Sequence, residues 1–474
     1  MSRIKFGTDG WRAVVGQDFN LKNVAAVAQA ISDYLNRTKP QAARGKKEVV
    51  VGYDTRRLSK QSAQLISQVL AANNLKVILS ERPLPTPAVS FAVRRRKCAA
   101  GVMVTASHNP PRFNGIKIKD AQGSSVESVV TDQVEELVFK NQPRKLSRQQ
   151  AKKKRLLKIT DLVTGYLQFL VAYLHLPTLN KGRLRVLVDS MHGSADSYIA
   201  RILKSSHCQV KTIHRSFDPS FGGVKPEPIQ PCLTEAAATI RKEGFALGLA
   251  TDGDADRIAA LDAKGRFINP QQIISLLALY LIRCRKLTGG LVKTISGTSL
   301  IDKIAQKYHL RVYNTPVGFK HISDLMQKKD ILIGGEEGGG IGFKNYLPER
   351  DGILGGLLLL EMLIAENKSL EDLLKDTAAE FGSFVYLRKD LHSRQQDKSK
   401  IRAKLQALRR RKTFFNLKIA KIEDYDGLKF CLVEGSWILF RLSGTEPILR
   451  IYAESSSLTK TKALISEGTK WIRN

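Results

Sequence analysis

"EVVVGYDTRRLSKQSAQLISQVLAANNLKVILS", residues 48–80, carries the reading of the fold. Its first part, "EVVVGYDT" (48–55), is an apolar run of strand length and reads as a buried strand. "SKQSAQLISQVLAANN" follows with apolar residues at helical spacing and with Ser59 where an N-cap belongs. "KVILS" (76–80) is a second strand, and "GVMVTAS" (101–107) is the next. This order of strand, helix and strand predicts helices packed on a largely parallel sheet.

The rhythm restarts twice. "RLRVLVDSMHGSA" (183–195) is a strand ending in polar and glycine residues, followed by the helix "DSYIARILKSS". "GGLVKTISGTSL" (289–300) is a strand with a similar ending, followed by "IDKIAQKY". Three related α/β units are the reading. The last hundred residues differ: "YDGLKFCLVEGSWILFRLSGTEPILRIYAES" reads as a meander of short strands and "SLTKTKALISEGTKWI" as a closing helix, an α+β module. At 474 residues the chain is too long for one core. The basic stretch 141–158 reads as a linker, and 366–372 as a boundary before the last unit.

Composition narrows the class. Hydrophobic residues make up 43%, enough for globular folding, and no run of about 18 uncharged apolar residues predicts a membrane span. "IISLLALYLI" is shorter than that and reads as a buried helix. "MSRIKFGTDGWR" lacks an apolar signal region. The five cysteines are scattered without metal spacing, and they read as reduced thiols of a cytoplasmic protein. The net charge of +33 is concentrated partly in runs such as "RRRK" (94–97) and "RAKLQALRRRK" (402–412). Solvated faces are the ordinary account of such runs. Nonspecific polyanion binding is the other, although no zinc-finger or RNP pattern accompanies it.

Four polar clusters interrupt the apolar segments. In "GVMVTASHNPPRFNGIKI" (101–118) a strand ends at Ser107, beside His108, and Pro110-Pro111 stiffen the loop. A fixed loop suits a reacting hydroxyl, and equally an ordinary tight turn. "LATDGDADRIAAL" (249–261) brings Asp252, Asp254 and Asp256 into one short turn. Carboxylates so close repel one another, so a positive group should sit among them. Hard oxygen ligands in a small turn suit Mg²⁺, and the twelve-residue EF-hand pattern is absent. A solvated acidic turn is the alternative. "ILIGGEEGGGIGF" (331–343) sets Glu336 and Glu337 between glycines, for sugar hydroxyls or as a mobile turn. "RLSGTEPILR" (441–450) places Arg441 and Ser443 before Gly444 and Thr445, either an anion nest or a plain β-turn. "FGTDGWR" offers Arg12 and "TPVGFKHI" offers Lys320, each alone more often a surface charge. His192 in "DSMHGSA" reads as structural.

Together "FGTDGWR", "TASHNPPRFNGIKI", "DGDADR", "GEEGGG" and "RLSGTEPILR" resemble, in order and rough spacing, the α-D-phosphohexomutases: phosphoglucomutase, phosphomannomutase and phosphoglucosamine mutase. The resemblance covers essentially the whole chain. It implies three related α/β domains with mixed sheets (1–155, 156–261 and 262–369) plus a C-terminal α+β domain (370–474), arranged around a central cleft to which each gives a loop. Ser107 then corresponds to the phosphoserine. Asp252, Asp254 and Asp256 correspond to the Mg²⁺ ligands, with a phosphoserine oxygen completing the set. Arg12, His108, Lys117 and Arg257 fall near the transferring phosphoryl group. Glu336 falls where sugar hydroxyls are held, Arg441, Ser443, Gly444 and Thr445 on the phosphate-binding loop, and Lys320 on a loop of the phosphoglucomutase branch.

The implied activity interconverts hexose 1-phosphate and hexose 6-phosphate, glucose before mannose, with a hexose 1,6-bisphosphate intermediate and Mg²⁺. Phosphoglucosamine mutase and a non-catalytic polyanion-binding relative are the other readings. Two features depart from the family. Gly338 stands where the sugar loop usually has serine, and the surplus of Lys and Arg has no family counterpart.

Overall fold

The computed structural model describes residues 4–38, 47–392, 398–443 and 448–473. They form two compact units, one within residues 1–287 and 318–371, the other within residues 288–317 and 372–474.

The first unit opens with seven strands: β1 (Phe6–Gly7), β2 (Gly10–Val14), β3 (Glu48–Tyr53), β4 (Lys76–Ser80), β5 (Ala100–Val104), β6 (Phe113–Lys119) and β7 (Leu157–Thr160). Their order across the sheet is β1-β2-β6-β5-β3-β4-β7. β5, β3, β4 and β7 run parallel, as the β-α-β order requires. β6, β2 and β1 are antiparallel additions, so the sheet is mixed rather than largely parallel throughout. Connection length explains the difference. A parallel return needs a crossover of about a dozen residues or more, and the loop from β5 to β6 has only the eight of 105–112. That loop carries Ser107.

Two local expectations are corrected. The helix after β3 runs Ser59–Ala72, but its N-cap is Leu58, in the left-handed region at φ 66° and without a side-chain cap. Ser59 is instead the first helical residue, and its hydroxyl donates to Asp54 Oδ1 at 2.6 Å. The buried Asp54 carboxylate outcompetes the helix terminus for that donor. The stretch 141–158 is not a linker. Ser147 and Gln150 make a capping box for the helix Arg148–Lys153, and β7 pairs with β4. Leu146, Ala151 and Leu157, interleaved among the basic residues, pack on the first core. The basic side chains stay outside while this apolar minority fixes the backbone, and the first sheet closes only at Thr160.

A second sheet contains β8 (Arg185–Asp189), β9 (Gln209–Ile213), β10 (Leu247–Thr251), β11 (Ile258–Asp262) and β12 (Phe267–Ile268), ordered β12-β11-β10-β8-β9. β9, β8 and β10 are parallel, whereas β11 and β12 turn back antiparallel. β10 and β11 are buried along their whole length, so the Asp252–Arg257 turn between them is held at both ends by core. "IISLLALYLI" lies in the buried helix Pro270–Arg283. The antiparallel pair Ile331–Gly335 and Ile341–Phe343 presents the turn Glu336–Gly340. No described helix is long and apolar enough to cross a membrane.

The second unit holds the parallel pair Gly290–Thr294 and Val312–Thr315 and an antiparallel sheet of six strands from Val385 to Ser455. Leu428–Leu432, Trp437–Leu442 and Ile448–Ser455 are consecutive neighbours in that sheet, a meander. The closing helix Leu458–Arg473 lays Leu464, Ile465 and Ile472 on Phe430, Ile438 and Phe440.

Candidate active site

Ser107 is fully buried and takes φ 51°, an unusual backbone state for a residue with a side chain. Its loop is fixed mainly by Arg56, a residue that no sequence motif marked. The Arg56 guanidinium donates to the carbonyl oxygens of Ser107 (2.5 Å), Asn109 (2.6 Å), Pro110 (3.0 Å) and Phe113 (3.0 Å). Asp54 holds it from behind at 3.2 Å. Both follow the C-terminal end of β3, the end of a parallel strand where α/β sites form. That position was the available signal.

The Ser107 hydroxyl donates to Asp252 Oδ2 at 2.7 Å and lies 3.3 Å from His108 Nδ1. Asp252, Asp254 and Asp256 are all buried, and each offers a carboxylate oxygen within 4.8 Å of the others. Asp252 Oδ1 accepts the N–H groups of Asp256 (3.0 Å) and Arg257 (3.1 Å), which ties the turn together. The "DSMHGSA" segment braces it: Ser194 N–H donates to the Gly253 carbonyl at 3.0 Å. A Cβ on Gly193 would stand 2.8 Å from that carbonyl oxygen, so the close approach requires glycine. His192 Nδ1 lies 2.9 Å from the Ser216 carbonyl oxygen, away from these carboxylates.

The positive group expected among the aspartates is Lys117. Its Nζ lies 2.8 Å from Asp254 Oδ2, 2.8 Å from Asp256 Oδ2 and 3.0 Å from Asp9 Oδ2. Burial opposes its charge, but Asp254, Asp256 and Asp9 together raise its pKa. Burial also raises the Asp254 carboxyl, and Lys117 more than reverses that, holding it below the usual range. Asp252 goes the other way: burial, then the charges of Asp256 and Asp254, push it well up. Burial, with Arg257 and Arg12 nearby, pushes His108 well below the ordinary imidazole value, so it is neutral. Thr86 Oγ1 donates to Asp254 Oδ2 at 2.5 Å.

Asp254 Oδ1 and Asp256 Oδ1 are buried without a hydrogen-bond partner. Two orphaned anionic oxygens on neighbouring carboxylates are costly unless a cation takes them. Their hardness and number fit a divalent ion that keeps few protein ligands, as Mg²⁺ does.

Around this centre lie the remaining residues. Arg12 Nη1 donates to Asn109 Oδ1 at 2.7 Å. Arg350 joins three clusters: it bonds Asp9, contacts Asp256 Oδ2 at 2.9 Å and donates to Glu336 Oε2 at 3.0 Å. Neither Asp9 nor Arg350 was singled out from the sequence. Asp9 lies inside the quoted "FGTDGWR", whereas Arg350 lies in "LPERDG", which carries no pattern. Glu336 is also engaged through Oε1, which accepts the Gly318 N–H at 3.0 Å, and burial raises its pKa. Lys320 Nζ donates to Ser128 Oγ at 2.5 Å and lines a small cavity with Asp9, Lys117 and Thr131. Arg257 Nε stands 3.9 Å from Asp252 and from Asp256.

In the second unit Arg441 Nε donates to Asp426 Oδ2 at 2.9 Å, an oxygen that also accepts the Val317 N–H at 2.7 Å. Ser443 N–H donates to the Ile448 carbonyl at 2.9 Å. Gly444 and Thr445 lie outside the described residues.

Comparison with known proteins agrees with this geometry. The models of phosphoglucomutase/phosphomannomutase alpha/beta/alpha domains I, II and III match residues 3–145, 164–265 and 269–381, and that of the C-terminal domain matches 393–467. A phosphoglucomutase/phosphomannomutase of Thermococcus kodakarensis is 29% identical over 470 residues, covering 98% of each chain. A phosphoglucosamine mutase of Carboxydothermus hydrogenoformans is 31% identical over 471 residues, covering 98% of this chain and 97% of that one. A Thermus thermophilus crystal structure described as that of a phosphomannomutase is 35% identical, with a TM-score of 0.87 over 100% of both chains. The chain thus belongs to the α-D-phosphohexomutase family, with its four-domain α/β architecture, and is an intramolecular phosphotransferase of that class.

Proposed function

We propose that the chain interconverts hexose 1-phosphate and hexose 6-phosphate, glucose before mannose, using Ser107 as the store of a phosphoryl group. The observation that carries this reading is the bond from Ser107 Oγ to Asp252, beside two orphaned aspartate oxygens. In the forward half-reaction the P–Oγ bond of phosphorylated Ser107 breaks as a bond from phosphorus to a sugar hydroxyl oxygen forms. The product is hexose 1,6-bisphosphate, and the Ser107 hydroxyl is restored. The hydroxyl proton of the sugar goes to His108, whose Nδ1 lies 3.3 Å from Ser107 Oγ, and returns in the second half-reaction. Asp252, Asp254, Asp256 and a phosphoserine oxygen would hold Mg²⁺. Bound there, the ion would supply charge neutralisation at the phosphoryl oxygens. Lys117 and Arg12 add fixed positive charge. Phosphate monoesters are extremely slow to hydrolyse unaided, so the store survives between turnovers.

Glu336 and the glycine turn would hold the ring, and Arg441 with Ser443, Gly444 and Thr445 the non-reacting phosphate. A second reading, phosphoglucosamine mutase, draws on the names of relatives such as that of Carboxydothermus hydrogenoformans. Coupled assays with the 1-phosphates of glucose, mannose and glucosamine, each with trace bisphosphate, test both. Turnover of glucose 1-phosphate above the others supports the first reading, and absence of all turnover by phosphorylated, Mg²⁺-supplied protein rejects it. Arg441→Ala should raise KM about 10- to 100-fold, the loss of charged hydrogen bonds, while leaving phosphoserine formation intact. Equal loss of phosphoserine by intact-mass measurement would contradict the assigned role.

A further inference from the structure

The Glu336–Gly340 turn has no side chain at its third position, and Arg257 uses the space. A Cβ built on Gly338 would stand 2.7 Å from Arg257 Nη1 and 3.3 Å from its Cζ. The guanidinium therefore rests against the main chain of the turn. Gly340 repeats the arrangement with Arg350, whose Cδ would lie 2.5 Å from an added Cβ. The two arginines differ in their partners. Arg350 is engaged by Asp9, Asp256 and Glu336. The Arg257 side chain is only 14% exposed, and its carboxylate neighbours stand at 3.9 Å, outside hydrogen-bond range. Among the described residues its guanidinium has no protein acceptor, although buried donors are ordinarily satisfied. Such a fork is built for a ligand.

We infer that Gly338 determines substrate choice: by leaving room for the Arg257 guanidinium across the turn, it favours hexose phosphates with neutral ring hydroxyls over a 2-amino sugar phosphate. The inference rests on the proposed function, in which this turn holds the sugar ring. A protonated amino group would enter the field of a fixed cation, and Coulomb repulsion acts over several ångströms without direct contact. Glu336 does not offset it, because its carboxylate is paired with Arg350. The guanidinium also supplies donors to ring oxygens that an ammonium-bearing carbon cannot match.

The test is the ratio of kcat/KM for glucose 1-phosphate over glucosamine 1-phosphate, measured on the full chain in its phosphorylated, Mg²⁺-supplied form. The native ratio should exceed about 10, and Arg257→Gln should lower it roughly tenfold, a change typical of one pocket contact. Gly338→Ser, whose side chain must displace the guanidinium, should move the ratio the same way. Arg257→Lys, which keeps the charge, should hold it within about threefold. Each ratio compares two substrates in one protein, so partial misfolding cancels. Should Arg257→Gln lose transfer altogether, calorimetric binding of glucose 6-phosphate and glucosamine 6-phosphate reads the same preference. An unchanged ratio in Arg257→Gln, or a native preference for glucosamine of the kind the Glu337 carboxylate would produce, overturns the inference while the mutase reading stands. Absence of turnover with every ester would instead overturn the mutase reading itself.

Discussion

Two pairs of carboxylates in the first unit are equally inaccessible and do opposite things. Asp351 and Glu361, like Asp254 and Asp256, are 0% exposed. Asp351 Oδ2 accepts the hydroxyls of Tyr166 (2.7 Å) and Tyr346 (2.6 Å), and Oδ1 accepts the Leu354 N–H at 2.9 Å, capping a helix. Glu361 accepts from Tyr280 (2.5 Å), Arg285 (2.9 Å) and the His175 N–H (2.7 Å). Neither has an orphaned oxygen. Asp254 and Asp256 each keep one oxygen unpaired while the other faces Lys117. Burial therefore does not distinguish structure from chemistry here; the leftover lone pairs do. A carboxylate whose oxygens are all satisfied by protein rigidifies its surroundings, and one left half-satisfied is poised for an ion or a substrate.

The comparison breaks or sharpens in a definite order. The largest effect belongs to Ser107→Ala, which should lower transfer by roughly 10⁴-fold or more, as removal of a nucleophile does. The protein should keep its fold and lose the phosphate increment in intact mass. Persistence of either transfer or phosphate would move the store elsewhere. Next, Asp256→Asn should cost about 10²-fold in activity and abolish thermal stabilisation by Mg²⁺. In the native chain that stabilisation should approach about 2.7 kcal/mol at a hundred times Kd. Retained Mg²⁺ stabilisation in the variant would mean that the orphaned oxygens have another purpose.

Asp351→Asn should leave the Mg²⁺ response unchanged and alter only the dependence of stability on pH. Burial raises the Asp351 pKa from 3.8 to about 6, so the folded chain holds that proton more tightly than the unfolded one. Its contribution is complete below about pH 4 and declines as pH rises through 6. Relative to the native chain the variant should therefore gain up to about 3 kcal/mol between those limits, an order-of-magnitude figure. Denaturant titrations at pH 4 and 7 measure it, and a flat difference would contradict the assignment. The smallest effect is that of Tyr280→Phe, which removes one donor to Glu361 and should cost about 1–3 kcal/mol of stability with unchanged kcat/KM.

Much of this arrangement was legible in the chain. Strand β4 coincides with "KVILS", and the closing helix with "SLTKTKALISEGTKWI", because apolar periodicity is a local property. The acidic turn was legible for the same reason: three aspartates within five residues meet whatever the rest of the chain does. The repulsion argument called for a cation but did not supply it. Lys117 arrives there because β6 turns back antiparallel on β5, a pairing that the strand–helix rhythm does not encode. Arg56, Asp9 and Arg350 were invisible for the same cause. Each acts through partners distant in sequence, and a lone Arg or Asp in a loop carries no periodic signal.

The sequence by itself determined the alternation of elements, the buried strands and the placing of hydroxyl and carboxylates at strand ends, since these follow from hydrophobic spacing and short-range sterics. Only the tertiary structure decided the direction of β6, the insertion of a lysine among the aspartates and the descent of Arg257 onto Gly338. Those depend on which distant segments share a dry interior, where every charge must find a partner or await a ligand.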